Sequence, residues 1–157
     1  MKKYIWSFDL SLSNTGFCIW DLDGNPLHVF SVKTTDKQSH PNRLRTIGNF
    51  ILGKKEAFPT ELIVIESGFT KFNKSTQALF KVLGVIQYLF YDCKQIFYAS
   101  TTIKKAVCGY GKATKDQVAY IILQEYPNLQ INNDDESDAV AIGVCHFLEN
   151  RYAQKCL

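Results

Sequence analysis

Apolar residues recur at a short period near the start of the chain and at a helical period further along. Tyr4 to Asp9 alternates loosely and is rich in aromatics, which predicts a first strand. Leu12 to Gly16 reads as a turn, with Gly16 free to take a positive φ, and Phe17 to Asp21 as a second strand. After the turn Asp23-Gly24-Asn25-Pro26, Leu27 to Thr34 completes an antiparallel meander, and Thr35 to Pro41 is polar and loop-like. From Asn42 the period changes: Leu44, Ile47, Ile51 and Leu52 predict a helix that ends before Pro59. Leu62-Ile63-Val64-Ile65 is a continuous β-branched run, as in a strand buried on both faces of a sheet, and Glu66 follows it directly. A loop from Ser67 to Lys74 leads to a long helix over Ser75–Tyr91, then a strand over Gln95–Ala99. Ser100, Thr101 or Thr102 is placed to cap a short helix through Val107, which Gly109-Tyr110-Gly111 breaks. Thr114 with Gln117 three residues on resembles a capping box, opening a helix to Glu125. Asn132-Asn133-Asp134 caps a last helix over Asp135–Tyr152. Three strands followed by alternating helices and strands make a mixed α/β fold, expected to span residues 1–157 as one domain.

Composition narrows the setting. At 46% hydrophobic, 157 residues can fill one sizeable core, and no stretch approaches the ~20 apolar residues of a membrane span. The five cysteines are odd in number, widely spaced and free of any CxxC pair, so they read as reduced thiols in a cytoplasmic protein. Net charge is only +3, yet setting four particular acids aside leaves eleven against 18 basic residues. A basic exterior around one acidic pocket suits a protein that holds polyphosphate.

Those acids are Asp9, Glu66, Asp135 and Asp138. Asp9 and Glu66 each end a hydrophobic strand, where a carboxylate is expensive unless its charge is compensated. Carboxyl ends of parallel strands are where sites assemble in open α/β sheets. Asp135 and Asp138 stand three apart at the start of a helix, on one face. Taken singly, each has an ordinary explanation: helix-start acids facing the macrodipole for the pair, a turn cap over Ser11 to Asn14 for Asp9, a solvated strand end for Glu66. Together they form a hard-oxygen set for Mg²⁺, with Mn²⁺ as substitute, and for two ions sharing a phosphodiester.

The same residues carry a resemblance that covers nearly the whole chain, from Phe8-Asp9-Leu10-Ser11-Leu12-Ser13-Asn14-Thr15-Gly16-Phe17 to Asp135-Glu136-Ser137-Asp138-Ala139-Val140-Ala141-Ile142. The chain resembles the RuvC-type Holliday-junction resolvases, including the short ones carried by bacteriophages. The resemblance implies an RNase H-like fold: a mixed sheet of three antiparallel strands followed by parallel ones, with helices on both faces. It implies a homodimer that cuts four-way junctions, and by extension forks and flaps, leaving 5′-phosphate and 3′-hydroxyl ends. Asp9, Glu66, Asp135 and Asp138 become metal ligands. Glu66-Ser67-Gly68-Phe69 matches the family's Glu-x-x-Phe, whose ring stacks on bases near the crossover, and Lys71, Phe72 and Lys74 give that loop a basic-aromatic texture. Ile103-Lys104-Lys105 and Lys112-Ala113-Thr114-Lys115 resemble the segments carrying two essential lysines, which fall on Lys104 and Lys115; Lys112 adds a further basic contact to DNA. The family dimerises through the helix corresponding to Ser75–Tyr91, which here carries Leu79, Phe80, Leu83, Ile86, Tyr88, Leu89 and Phe90, more apolar surface than one face needs. Leu10-Ser11 replaces the usual Pro-Gly, a departure that leaves docking on a branch-migration motor open.

Three other readings compete. A branched-DNA-binding protein of the same fold without catalysis would not need all four acids. An actin-like kinase or ATPase, whose phosphate loop Asp9 to Gly16 also resembles, needs a second lobe for which this chain has no room. An RNA–DNA hybrid nuclease would share the fold.

Overall fold

The computed structural model describes residues 1–67 and 74–155, with side chains through Arg151. Five strands, β1 (Tyr4–Asp9), β2 (Asn14–Trp20), β3 (Pro26–Lys33), β4 (Thr60–Ser67) and β5 (Lys94–Ala99), form one sheet in the order β3-β2-β1-β4-β5. The first three make the expected antiparallel meander, and β4 and β5 pair parallel to β1 and β4. The helices are α1 (His40–Ala57), α2 (Lys74–Leu89), α3 (Ser100–Cys108), α4 (Lys115–Glu125) and α5 (Asp134–Lys155).

Alternation along the strands divides the core into two layers. Trp6, Phe8, Phe17, Ile19, Ile63 and Ile65 face α1 and α2, where Ile47, Ile51, Val82, Ile86 and Phe90 cover them. Trp6 stacks on Phe17 with ring centroids 5.2 Å apart. Ile5, Cys18, Trp20 and Val64 face the other way, against α3, α4 and α5. The Ser7 hydroxyl, fully buried, accepts from Trp20 Nε1 at 2.9 Å and donates to the Ala139 carbonyl at 2.6 Å, stitching β2, β1 and α5 together.

Two local expectations change. Gly16 does not turn; it lies in extended β2, and the positive-φ glycines among the described residues are Gly24 and Gly109. The turn before it is closed instead by Ser11, whose hydroxyl accepts from the Ser13 and Asn14 amides, and by Thr15, which donates to the Ser11 carbonyl, so Asp9 caps nothing there. At α3 the N-cap is Ala99 with no side-chain cap, because the helix begins directly from β5 and Ser100 is already inside it. The capping box of Thr114 and Gln117 is present, and the Glu136 amide donates to the Asn133 carboxamide at the start of α5. The described cysteines, Cys18, Cys93, Cys108 and Cys145, are free, and no described helix is long and apolar enough to cross a membrane.

Candidate active site

Strand parity decides which acids meet. Phe8 and Ile65 pair across β1 and β4 and face α1 and α2, so Asp9 and Glu66, one residue further along each strand, face α5. The same parity on β2 turns Asn14, Gly16 and Cys18 toward α5. A Cβ on Gly16 would overlap the Asp135 carbonyl oxygen; only glycine lets the first turn of α5 lie this close to the sheet. Asn14 Nδ2 then donates to Asp135 Oδ2 at 2.7 Å. Asp138, one turn on, pairs with Lys115 Nζ at 3.3 Å.

Glu66, Asp138, Lys104 and Lys115 line one crevice of about 50 Å³ at the carboxyl ends of β4 and β5; Asp9 and Asp135 lie outside its lining. Both lysines expected near the acids are therefore there, one from α3 and one from the start of α4. Lys112 is exposed and outside the crevice, and Lys74 begins α2 beside the β1–β2 turn. Phe69, Lys71 and Phe72 lie outside the described residues. Glu136, between the two aspartates, is buried and points elsewhere: its carboxylate accepts from the Ser31 hydroxyl and the Asn132 amide, both at 2.7 Å, anchoring α5 to β3. His146 is also buried, beside Tyr98 and Asn150, and belongs to the packing of α5 rather than to the crevice.

The electrostatics show how tightly the acids are gathered. Burial, reinforced by the charges of Asp138, Asp135 and Glu66 and opposed by Lys115, pushes the Asp9 carboxyl up to about 8. Asp138 is also raised, chiefly by burial, against the pull of Lys115; Lys115 in turn is raised, chiefly by the Asp138 charge. Among the described residues no three His, Cys, Asp or Glu side chains close on one point as a finished metal cage. The reason is visible: Asn14 holds Asp135, and Lys115 holds Asp138. The donor chemistry nevertheless fits a hard divalent cation. The gathered donors are carboxylate oxygens, and the Asn14 carboxamide oxygen beside them is buried with no hydrogen-bond partner. A cation there would offset both the burial and the neighbouring charges that hold a proton on Asp9.

This sets the pH dependence of the metal-free fold. Asp9 titrates near 3.8 when unfolded and about 8 when folded, so the folded chain holds a proton that the unfolded chain has released. The stabilisation is full below the unfolded value and is lost as pH rises through about 8. In EDTA, urea unfolding midpoints should therefore fall between pH 5 and pH 8.5, and added Mg²⁺ should raise the midpoint more at the higher pH. Equal Mg²⁺ effects at both pH values would separate Asp9 from the metal.

Asn14 and Gly16 were legible only as turn residues in the sequence. Counting back by twos from Cys18 would have put both on the acidic face. With Glu66, Asp138 and two lysines at one crevice, and Asp9 and Asp135 on the neighbouring strand and the same helix start, known proteins become comparable. The family described as Crossover junction endodeoxyribonuclease RuvC matches residues 5–146. The chain belongs to the RuvC family. Among its relatives, Crossover junction endodeoxyribonuclease RuvC of Gluconobacter oxydans is 32% identical over 148 residues, covering 90% of this chain and 88% of the relative. The protein of that name from Rickettsia typhi is 28% identical over 155 residues, covering 94% and 99%. The Thermus thermophilus RuvC structure, 21% identical, superposes with a TM-score of 0.81 over 96% of both chains. T. thermophilus RuvC in complex with a Holliday junction substrate gives 0.84, at the same identity and coverage. The RNase H-like architecture expected from the sequence is thus the fold of this chain.

Proposed function

We propose that this RuvC-family chain resolves Holliday junctions as a structure-specific endodeoxyribonuclease. The observation that carries the reading is placement: Asp9 and Glu66 end neighbouring strands β1 and β4 on the face that meets α5, Asp135 and Asp138 open α5, and Glu66 and Asp138 share a crevice with Lys104 and Lys115. A divalent metal neutralises such a set of acids; Mg²⁺ is the natural occupant, with Mn²⁺ as substitute and two ions per site. Bound there, the metal polarises the phosphodiester and activates the attacking water. The four carboxylates and the Asn14 oxygen are the groups that would hold such cations. Lys115, paired with Asp138, and Lys104 line the same crevice and would face the charge that grows on the phosphate. The products carry 5′-phosphate and 3′-hydroxyl ends.

A two-fold symmetric junction calls for a two-fold symmetric enzyme, and α2 offers the surface. Leu83, Ile86 and Phe90 are spent on the core, while Tyr88 is 78% exposed and Phe80 44%. Phe97, on edge strand β5, is 40% exposed on the same side of the sheet. Pairing two α2 faces would cover these rings and set two sites side by side.

Labelled four-way, three-way, forked, flapped and linear duplexes, with an RNA–DNA hybrid alongside, incubated with Mg²⁺, Mn²⁺ or EDTA, test the proposal. The expected result is paired cuts in the four-way junction, slower cutting of other branches, none in EDTA, and a sedimenting mass of two subunits. Preferred cutting of the hybrid, or junction binding with no nick under any metal, would replace it with one of its rivals.

A further inference from the structure

Next to the acidic crevice, on the other side of the β1–β2 turn, the structure carries a groove of opposite charge. It has a volume of about 560 Å³ and runs between Leu10–Ser13, the start of α1 and the first turns of α2. Leu10 follows Asp9 directly, so the groove opens at the same end of the sheet as the acids. Its described lining includes His40, Arg43, Lys74 and Lys81, and no acid. Arg43 forms part of the wall although it is only 7% exposed. Its Nε donates to the Thr34 hydroxyl at 2.8 Å and one terminal nitrogen to the Ser13 hydroxyl at 3.3 Å. Among the described residues it has no carboxylate partner; the ion pairs there are Lys55–Asp92 and Lys115–Asp138. A guanidinium buried this deeply without an anion is expensive, and the two hydroxyls orient it without neutralising it.

The neighbouring groups add to the same field. Lys81 Nζ stands 3.2 Å from His40 Nδ1, which ties α2 to α1 and places a second cation over the groove. α1 begins here, capped by Ser39 and with no acidic residue in its first turn, so a positive helix end faces the space. Three cationic side chains, a histidine and a helix start around one cavity are the conditions under which a phosphate oxygen is held.

We infer that this groove is a second phosphate subsite, which grips a backbone phosphodiester of the bound DNA a short distance along from the one being cut. It rests on the proposed nuclease function and deepens it: Arg43, Lys74 and Lys81 set the path of the strand so that the scissile phosphate arrives over Asp9. The subsite reads charge and backbone shape, not bases.

The test uses a four-way junction in Ca²⁺, with Kd followed across salt concentrations. Wild-type protein is compared with the surface double variant Lys74→Gln/Lys81→Gln and with Arg43→Lys, which keeps the charge but loses the fork. Cleavage by wild type in Mg²⁺ is run in parallel. Each phosphate contact removed should make the salt slope shallower by about one, so the double variant, which frees this single phosphate, should lose about one. Neutral methylphosphonates placed one at a time around the cut should weaken wild type most at one flanking position. There the double variant should show no further loss. Unchanged slopes, or equal sensitivity of the double variant at every position, would overturn the subsite even if wild type cuts the junction. A masked position in a protein that binds but does not cut would support the subsite and sink the nuclease reading instead. Arg43→Lys should weaken binding at a thermal midpoint close to wild type. If its binding is unchanged, Arg43 is only a strut of the turn and the inference fails.

Discussion

Asp9→Asn should abolish cleavage of a four-way junction, by a factor of about 10³ or more, and leave junction affinity nearly unchanged. A loss of that size corresponds to about 4 kcal/mol of transition-state stabilisation. Asparagine matches the shape of the carboxylate but cannot neutralise a divalent cation, and Asp9 is where the charges of Asp138, Asp135 and Glu66 converge. Affinity, in contrast, comes from basic residues spread over the surface. The same substitution has a second signature that a merely structural role would not produce. It removes the buried, repelled carboxyl held at about 8, so the metal-free variant should be more stable than wild type above pH 8. For a chain of this size each kcal/mol appears as roughly 2–4 °C in Tm. Melting in EDTA at pH 8.5, with cleavage and filter binding on the same preparations, checks all three parts. Normal cleavage by Asp9→Asn would remove the metal assignment altogether.

Gly16→Ala should be the most damaging substitution of a single methyl group. The added Cβ meets the backbone carbonyl of Asp135, which has no rotamer to move into, so the start of α5 must lift from β2. Overpacking of this kind costs about 1–3 kcal/mol, and the upper end applies because backbone meets backbone. Lifting α5 also draws Asp135 and Asp138 away from Asp9 and Glu66, so cleavage should fall further than stability. Gly53→Ala is the control. Gly53 lies inside α1 with nothing within 4 Å of an added Cβ, and alanine there should stabilise the helix by about 1 kcal/mol. Urea unfolding and junction cleavage of both variants test the contrast. A Gly16→Ala protein as stable and active as wild type would show that the close approach of α5 is dispensable.

Much of this architecture was readable from local pattern. The period of two in Tyr4–Asp9 and the β-branched run before Glu66 placed two strands whose ends carry acids, and the observed strands contain both. Asp135 and Asp138 opened the final helix as expected, because a helix start is written in its caps. The misreadings were local as well. Gly16 looked like a turn glycine because glycine most often serves that way, and nothing nearby in the chain reveals a helix packed against it. Ser100 looked like a cap because it follows a strand, but the chain passes from β5 into α3 without a break.

The sequence alone determined the kinds of element, their order and which acids stand at strand ends and at a helix start, since each depends on residues within a turn or two of one another. Only the tertiary structure decided that Asn14 holds Asp135 across 121 positions, that Glu136 turns away to Ser31, and that Arg43 lies buried with no counter-charge among the described residues. Those facts depend on sheet register and on how closely α5 and α1 approach the strands. Contacts of that kind are made between distant stretches of chain, and no local period encodes them.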